Sequence, residues 1–312
     1  MYIFHRLNPD RYSDLQGLFK KAFGSVHSLD WIEKKYNTDF LKVRDIGIIA
    51  YSEKGEAAAY YGVFPMRARY EGKSIIVGQS GDTMTAPEHQ KKGLFTQLAQ
   101  KCYSLSSDQG LSLIFGFPNK NSFPGFQRKL NWEFTGAMTT YQIKGHRIPM
   151  LEIAYKFPIL RGPVHKRAHK ILRLLSTFPS EELVRRFQLN QNSAGILHDQ
   201  DFFAYKLRRP GIFLIQWEGF DLLVKIDSHL IIGDCGHFDT SRISEFVNAL
   251  KRLGKKVGAG KVTMSLSPNH WLSQSLGNES VTSEGLPIGF FCIDPKIDPQ
   301  GFVFCQADFD TF

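Results

Sequence analysis

The sequence predicts a mixed α/β fold arranged in two domains. The chain has 312 residues, which is enough for two domains of about 150 residues, each with its own core. Its 42% hydrophobic and 22% charged residues are typical of an ordinary globular protein. Strand-like and helix-like segments alternate along the first half, and fainter copies of several motifs recur in the second half.

The first half is predicted to contain ten elements in the order β-α-α-β-β-β-α-β-α-β. Asn8-Pro9 precedes a helix whose apolar residues recur at helical spacing. In the clearest helix, Leu94, Leu98 and Cys102 share one face. The predicted strands cover residues 2–5, 46–51, 57–70, 74–85, 111–115 and 133–143, and the later helices cover 31–36, 92–108 and 123–130.

Composition changes after the first domain, which we place at residues 1–143. Basic residues cluster in 144–190, and Pro163 is predicted as the first residue of a helix with opposite apolar and basic faces. We interpret this segment as a connector, followed by a second domain at 191–312. Gly81-Asp82 recurs as Gly233-Asp234, and Pro118-Asn119 as Pro268-Asn269, at offsets of 152 and 150 positions. The sequence therefore predicts an internal duplication.

Charge and cysteine usage restrict the function. A net charge of +9 favours some anion-binding surface, without choosing among a nucleotide, a nucleic acid and a lipid head group. The four cysteines are widely spaced and have no zinc-ligand pattern, so we expect no metal. The chain has neither a secretory signal pattern at its beginning nor an apolar run long enough for a membrane helix, so we expect it in the cytoplasm.

The sharpest motif is the stretch 81–96, predicted as a strand, a loop and the start of a helix. Backbone N–H groups of such a loop converge, and the helix start adds unpaired donors and the positive end of its dipole. Gly93 permits close approach of a ligand, Lys91 and Lys92 add charge, and Thr96 adds a hydroxyl. This arrangement suits a pyrophosphate, although a helix start with solvated lysines has the same residues.

The run Gln90-Lys91-Lys92-Gly93-Leu94-Phe95 resembles the Q/R-x-x-G-x-G/A signature of the GNAT superfamily of N-acyltransferases. Asn119, Asn121 and the segment 126–132 are similar to the family's downstream motif. The resemblance implies a GNAT-like first domain that uses acetyl-CoA or another acyl-CoA, with a pantetheine path between the fourth and fifth strands. The second half lacks the signature and is expected to be a degenerate GNAT-like domain on the acceptor side. The implied cofactor-binding residues are Thr83, Met84, Thr85, Gln90, Lys91, Lys92, Gly93, Leu94, Phe95, Thr96, Asn119 and Asn121.

In such a reaction an amine attacks the thioester, a backbone N–H of the fourth strand stabilises the oxyanion, and a base takes the amine's proton. Asp82, Glu88 and the terminal carboxylate of Phe312 are the base candidates, with His89 beside them. The tail is alternatively a last edge strand. Gln127 occupies the position of the family's tyrosine acid and cannot act as an acid near neutral pH.

We therefore predict an N-acyltransferase, in the first instance an N-acetyltransferase, acting on a primary amine of a small molecule such as an amino sugar. Two alternatives remain. One is a non-catalytic coenzyme A-binding regulatory module. The other is a protein that binds an anionic surface through the basic stretch 165–173; specific nucleic-acid binding is not expected, and peripheral membrane contact is left open.

Overall fold

The computed structural model describes residues 1–190 and 193–312. The chain forms two compact units: unit 1 comprises Met1–Gly136 and Pro287–Gln300, and unit 2 comprises Ala137–Leu286 and Gly301–Phe312. These limits differ from the three segments drawn from the sequence, because the expected connector lies within unit 2 and a late segment returns to unit 1. The three-part division stays a prediction, and its last segment begins with two residues, 191 and 192, that lie outside the described residues.

The elements of the first half occur in the predicted order, with ends that agree within two residues where a boundary was predicted. In the first half of the chain the strands are β1 Tyr2–Arg6, β2 Ile46–Ser52, β3 Ala57–Tyr70, β4 Lys73–Thr85, β5 Leu113–Gly116 and β6 Glu133–Lys144, and the helices are α1 Tyr12–Phe23, α2 Leu29–Tyr36, α3 Leu94–Asp108 and α4 Phe123–Lys129. The agreement follows from local hydrophobic periodicity, which is strong in these segments.

The second half of the chain adds further helices and strands. Its helices are α5 Met150–Lys156, α6 Pro158–Leu175, α7 Glu181–Arg185, α8 Gln200–Leu207, α9 Ile243–Val257 and α10 Ser273–Gly277. Its strands are β7 Ala194–Ile196, β8 Ile212–Trp217, β9 Phe220–Ile226, β10 Leu230–Cys235, β11 Lys261–Leu266, β12 Val281–Cys292 and β13 Phe302–Val303. From β7 to β12 the order β-α-β-β-β-α-β-α-β is that of the first half with one helix fewer.

The sheet of unit 1 runs β1-β2-β3-β4-β5-β12. Neighbouring strands are antiparallel except β4 and β5, which are parallel. Its last strand is the end of β12, where residues 289–292 pair with β5. In unit 2 the sheet runs β6-β11-β10-β9-β8, with β10 and β11 parallel. In unit 1 the last strand of the sheet, β12, therefore comes from late in the chain. In unit 2 the first strand of the sheet, β6, comes from the end of the first half.

Unit 1 has a helical layer on each face of its sheet. Side chains of a strand point alternately to the two faces, so Tyr60 and Tyr61 of β3 belong to different core clusters. Tyr61 packs with Leu98 and Cys102 of α3, whereas Tyr60 packs with α1 and α2. These two layers hold β4 and the loop that follows it in place.

Helix α6 begins earlier than predicted. Pro158, rather than Pro163, occupies the first turn, and Pro163 lies inside the helix. A proline inside a helix lacks the N–H that would bond four residues back, so α6 loses one backbone bond there. Among the described residues, no helix is long and apolar enough to cross a membrane.

Candidate functional site

The parallel strands β4 and β5 separate partway along β4. Their pairing runs from Val77 with Leu113 to Gln79 with Phe115. β4 then continues to Thr85 beside β3, whereas β5 ends one residue after its last pair. Beyond Gln79, β4 is no longer paired with β5, so the two strands separate at this point.

A β-bulge lies on this diverging part of β4. Gly81 pairs with Gly62. The next pair is Met84 with Tyr60, so β4 has two residues where β3 has one. The first of them, Asp82, has a φ of 50°, in the left-handed region. Such a bulge turns backbone N–H groups out of the regular ladder, where they can meet a carbonyl oxygen that gains negative charge.

The side chain of Asp82 is bound by α2. Its carboxylate accepts hydrogen bonds from Lys35 Nζ and the Tyr36 hydroxyl, each at 2.7 Å. The side chains of Lys35 and Asp82 are only 3% and 10% exposed. Burial, and then the charge of Asp82, raise the pKa of Tyr36 well above 10, so its hydroxyl keeps its proton. Both oxygens of the Asp82 carboxylate thus accept hydrogen bonds from side chains of α2.

The loop between β4 and α3 contains two left-handed residues. Lys91 has a φ of 60° and Gly93 a φ of 75°. A Cβ at Gly93 would lie 3.6 Å from Gln97 Nε2, an ordinary contact, so backbone conformation rather than space favours glycine. Left-handed residues in a turn direct successive N–H groups to one side and form a concave anion site.

Helix α3 starts from this loop with free backbone donors. Its first intrahelical bond runs from Gln97 N–H to Gly93 O at 3.3 Å. The N–H groups of Leu94, Phe95 and Thr96 precede that bond and have no intrahelical acceptor. The helix dipole adds positive potential at the same place. The exposed residues of the loop are Gln90, Lys91, Lys92 and Gly93.

The side chains of Leu94 and Phe95 pack inward while their backbone faces the loop. Leu94 belongs to the core cluster of α3. The Phe95 ring meets the Phe126 ring edge-on, with 5.2 Å between centroids. Gly125 makes room for it, because a Cβ there would lie 2.9 Å from the Phe95 ring. A large residue at this position of the signature is therefore compatible with the loop.

Glu88 and His89 lie in a short turn, Pro87–His89, before the loop. Glu88 is exposed, and Lys21 Nζ lies 3.7 Å from its carboxylate. A backbone N–H bond holds the pKa of Glu88 below its usual range, so its carboxylate is a weak base. His89 Nδ1 lies 2.8 Å from the Tyr2 hydroxyl.

Asn119 shapes the loop before α4. Its Oδ1 accepts from the backbone N–H groups of Asn121 and Ser122, at 2.9 and 3.1 Å. The Asn121 side chain is exposed. Gln127, at the position of the family's tyrosine acid, is also exposed. Their roles toward a cofactor stay predictions.

A chain of buried hydroxyl groups beneath the strand divergence was not predicted. Ser80, directly after the last β4 residue paired with β5, donates to the Tyr61 hydroxyl at 2.7 Å. The Tyr61 and Tyr103 hydroxyls lie 3.0 Å apart, and Trp132 Nε1 donates to Tyr103 at 2.7 Å. Burial raises the pKa of both tyrosines above 10, so they remain neutral. These residues are scattered in sequence, and no local pattern connects them.

Unit 2 contains a buried charged cluster around His198. Its Nδ1 lies 2.6 Å from Asp234 Oδ2, and its Nε2 lies 2.8 Å from Asp308 Oδ1. Burial by itself would lower the pKa of His198, but the charges of Asp308 and Asp234 outweigh it and raise the pKa to about 10. The imidazolium borders a cavity of about 110 Å³ that His270 and Cys305 also line.

Two groups of side chains approach a metal-binding geometry. Ligand atoms of His198, Asp234 and Cys305 lie within 4.8 Å of one another and are buried. Both ring nitrogens of His198 already bond to carboxylates, and a protonated imidazole has no free lone pair for a metal. The other group, Glu56 with Glu88 and His89, lies near the surface.

Each unit contains a histidine stacked on an aromatic ring that also has a lysine beside it. In unit 1, the His27 ring stacks on Trp31 with centroids 3.8 Å apart, and Lys35 Nζ lies 5.4 Å from the same ring. In unit 2, a histidine stacks on a phenylalanine at 4.0 Å, and a lysine lies 5.6 Å from that ring. The unit 2 residues, each 171 positions further along the chain, are His198, Phe202 and Lys206.

The end of the chain docks in unit 2. The Phe312 ring is buried against Gly233, where a Cβ would lie 2.2 Å from the ring. Lys206 Nζ donates to Phe309 O at 2.8 Å and to Phe312 O at 3.4 Å. Gln306–Asp308 is a single 3-10 turn. The edge-strand alternative for this tail is therefore wrong, because side-chain contacts rather than a backbone ladder hold it.

The mixed sheet with its diverging parallel strands, followed by the loop and α3, defines a fold of the GNAT type. Residues 4–135 match the family model described as "Acetyltransferase (GNAT) domain". The chain carries a GNAT acetyltransferase domain in this region. No curated protein matches the sequence.

Solved structures of several proteins resemble nearly the whole chain. GCN5-related N-acetyltransferases from Kribbella flavida and Anabaena variabilis are 14% and 13% identical, with TM-scores of 0.57, and the matches cover 94% and 93% of this chain and 72% of each of those. A putative acetyltransferase from Pyrococcus horikoshii is 15% identical with a TM-score of 0.52, covering 98% of this chain and 95% of that one. At these identities the likeness concerns the fold alone.

Proposed function

We propose that this protein is a cytoplasmic N-acyltransferase that moves an acyl group, in the first instance acetyl, from acyl-coenzyme A to the primary amine of a small molecule such as an amino sugar. The observation that carries the proposal is the loop before α3, where Lys91 and Gly93 adopt left-handed conformations beside the free N–H groups of the helix start. The GNAT domain in the same residues supports it.

In this proposal the pyrophosphate lies on the backbone donors of residues 90–96, with Lys91 and Lys92 adding positive charge. The pantetheine follows the opening between β4 and β5, along Thr83, Met84 and Thr85. Asn119 and Asn121 contact the cofactor from the loop that follows β5, which Asn119 shapes through its bonds from the N–H groups of Asn121 and Ser122.

The acceptor amine attacks the thioester carbonyl carbon with its nitrogen lone pair, and the carbon–sulfur bond breaks. Backbone N–H groups of the β4 bulge stabilise the oxyanion. The leaving thiolate takes a proton from solvent, because Gln127 cannot supply one. The ammonium form of the acceptor first loses one proton to give the amine, and the attacking nitrogen loses a second proton as the amide forms. Asp82 and Glu88 stay the candidate bases for these proton transfers.

Two further assignments belong to this proposal. We propose that unit 2 is a diverged second copy of the GNAT-like fold, supported by the repeated histidine–aromatic–lysine arrangement and by the element order. The assignments of the acceptor side to the second domain and of a catalytic base to Phe312 stay predictions. A non-catalytic coenzyme A-binding role is favoured by the exposed Gln127 alone.

Thermal unfolding with and without acetyl-CoA tests the cofactor site. Ligand at 100 times its Kd stabilises the native state by roughly 2.7 kcal/mol, which raises Tm by about 5 °C or more. Gly93→Glu should abolish this rise. Gly110→Glu is the matched control, since Gly110 also has a positive φ but lies at the opposite end of α3. No rise in the native protein, or an equal loss in both variants, contradicts the proposal.

A further inference from the structure

The turn between α5 and α6 projects apolar side chains into solvent. Residues 155–163 are nine consecutive exposed positions, and they include four large hydrophobic residues. Ile159 is 88% exposed and Phe157 57%. Leu151 and Ala154 are the buried residues of α5 and anchor the turn to unit 2. A soluble surface rarely concentrates so many large apolar groups without a partner.

Basic residues continue this exposed surface along α6. Ile159, Lys166, Lys170 and Arg173 follow one another at spacings of seven, four and three positions, so they share one helix face. The opposite face carries the buried Ala168 and Leu172. Leu174, 78% exposed, lies four positions after Lys170 and adds an apolar group among the charges.

The segment has positive charge without acidic neighbours in sequence. Between Glu152 and Glu181 there is no Asp or Glu. Glu152 itself accepts from the backbone N–H groups of Gly260 and Lys261, each at 3.0 Å. The six Lys and Arg residues of the segment are Lys156, Arg161, Lys166, Arg167, Lys170 and Arg173.

We propose that this α5–α6 surface, formed by residues 155–163 and the Lys166–Lys170–Arg173–Leu174 face of α6, docks the protein on an anionic lipid membrane. The apolar tip enters the boundary between head groups and acyl chains, and the lysines and arginines lie at the level of the phosphates. Each such basic residue strengthens binding to an anionic surface roughly fivefold.

An anionic membrane explains both the apolar tip and the basic face of the α5–α6 surface. A nucleic acid would use the charges but would leave Phe157, Ile159 and Leu174 in water. The groove of an acidic protein would also match the positive charges. It would not explain why an aliphatic side chain as exposed as Ile159 lies beside them. The combination of exposed apolar and basic side chains therefore favours a lipid membrane, which is apolar inside and anionic at its surface.

Vesicle co-sedimentation of the full chain tests the proposal. Vesicles of phosphatidylcholine alone are compared with equimolar phosphatidylcholine and phosphatidylglycerol. The native protein should bind only the anionic vesicles, with affinity that falls as salt rises. Phe157→Asp with Ile159→Asp, and separately Lys166→Glu with Lys170→Glu, should each weaken binding at least roughly tenfold.

Matched controls separate this surface from net charge and general hydrophobicity. Lys251→Glu with Lys255→Glu makes the same charge change at the same spacing on α9, and Phe23→Asp with Val26→Asp changes exposed apolar residues of unit 1. Both controls should bind like the native protein, and all variants should keep the native Tm. The proposal is overturned if the native protein ignores anionic vesicles, if the α5–α6 variants bind as well as the controls, if the protein instead binds an RNA duplex, or if it forms a dimer that Phe157→Asp with Ile159→Asp dissociates.

Discussion

Lys35 of α2 and Asp82 of the β4 bulge form a buried ion pair with 2.7 Å between Nζ and the carboxylate. The pair ties a helix to the one irregular residue of the strand that faces the proposed thioester. Tyr36, the next residue of α2, bonds to the same carboxylate. Asp82 is thereby held in a left-handed conformation that a regular strand would not adopt.

Removing one partner of this pair should be costly, because it leaves the other charge buried alone. Asp82→Asn is expected to lower the free energy of unfolding by about 3 kcal/mol. In the double variant Lys35→Met with Asp82→Asn, the loss should be smaller than the sum of the single losses by about 1 kcal/mol or more. Urea unfolding of the four proteins measures this, and additive losses would show that the two side chains are not coupled.

The His198 cluster should make stability depend on pH. The pKa of His198 is raised from 6.5 to about 10 in the folded state by the charges of Asp308 and Asp234. Its contribution is therefore full below pH 6.5 and is lost as pH rises toward 10. The native protein should lose on the order of a few kcal/mol more over this window than His198→Gln does. Parallel pH profiles of the two proteins would contradict the charged-cluster interpretation.

The two loop lysines should contribute to cofactor affinity through charge. Lys91→Gln with Lys92→Gln is expected to raise the Kd for acetyl-CoA roughly tenfold and to flatten its dependence on salt. Arg128→Gln with Lys129→Gln, which removes two exposed charges from the end of α4, is the control. Isothermal titration at two salt concentrations compares them, and equal effects of the two pairs would mean that charge acts only at long range.

The docked tail should be part of the core of unit 2. Phe312→Ala removes a buried ring that fills the space above Gly233, and it should cost about 3 kcal/mol of stability. Phe178→Ala, at an exposed phenylalanine of the same unit, should change stability by less than about 0.5 kcal/mol. Thermal unfolding distinguishes a docked tail from a loose one, for which both variants would behave alike.

The sequence predicted those parts of the fold and site that depend on local pattern. The predicted helix 92–108 is α3, which begins two residues later, at Leu94, and ends at Asp108 as predicted, because its apolar residues recur at helical spacing. The pairing of β12 with β5 could not be predicted, since an apolar run such as residues 289–292 does not specify its partner strand. The pair of Lys35 with Asp82 joins residues 47 positions apart and has no local signature either.

The measurement that tests the central claim most directly is thiol release from acetyl-CoA in the presence of primary amines, including amino sugars. We expect amine-dependent release by the native protein and by Gly110→Glu, at the same rate within a fewfold. Gly93→Glu should lose at least roughly 100-fold in kcat/KM, because the cofactor no longer binds in register with the bulge of β4. Tight binding of acetyl-CoA without release for any amine would contradict the acyltransferase assignment and favour a coenzyme A-binding module.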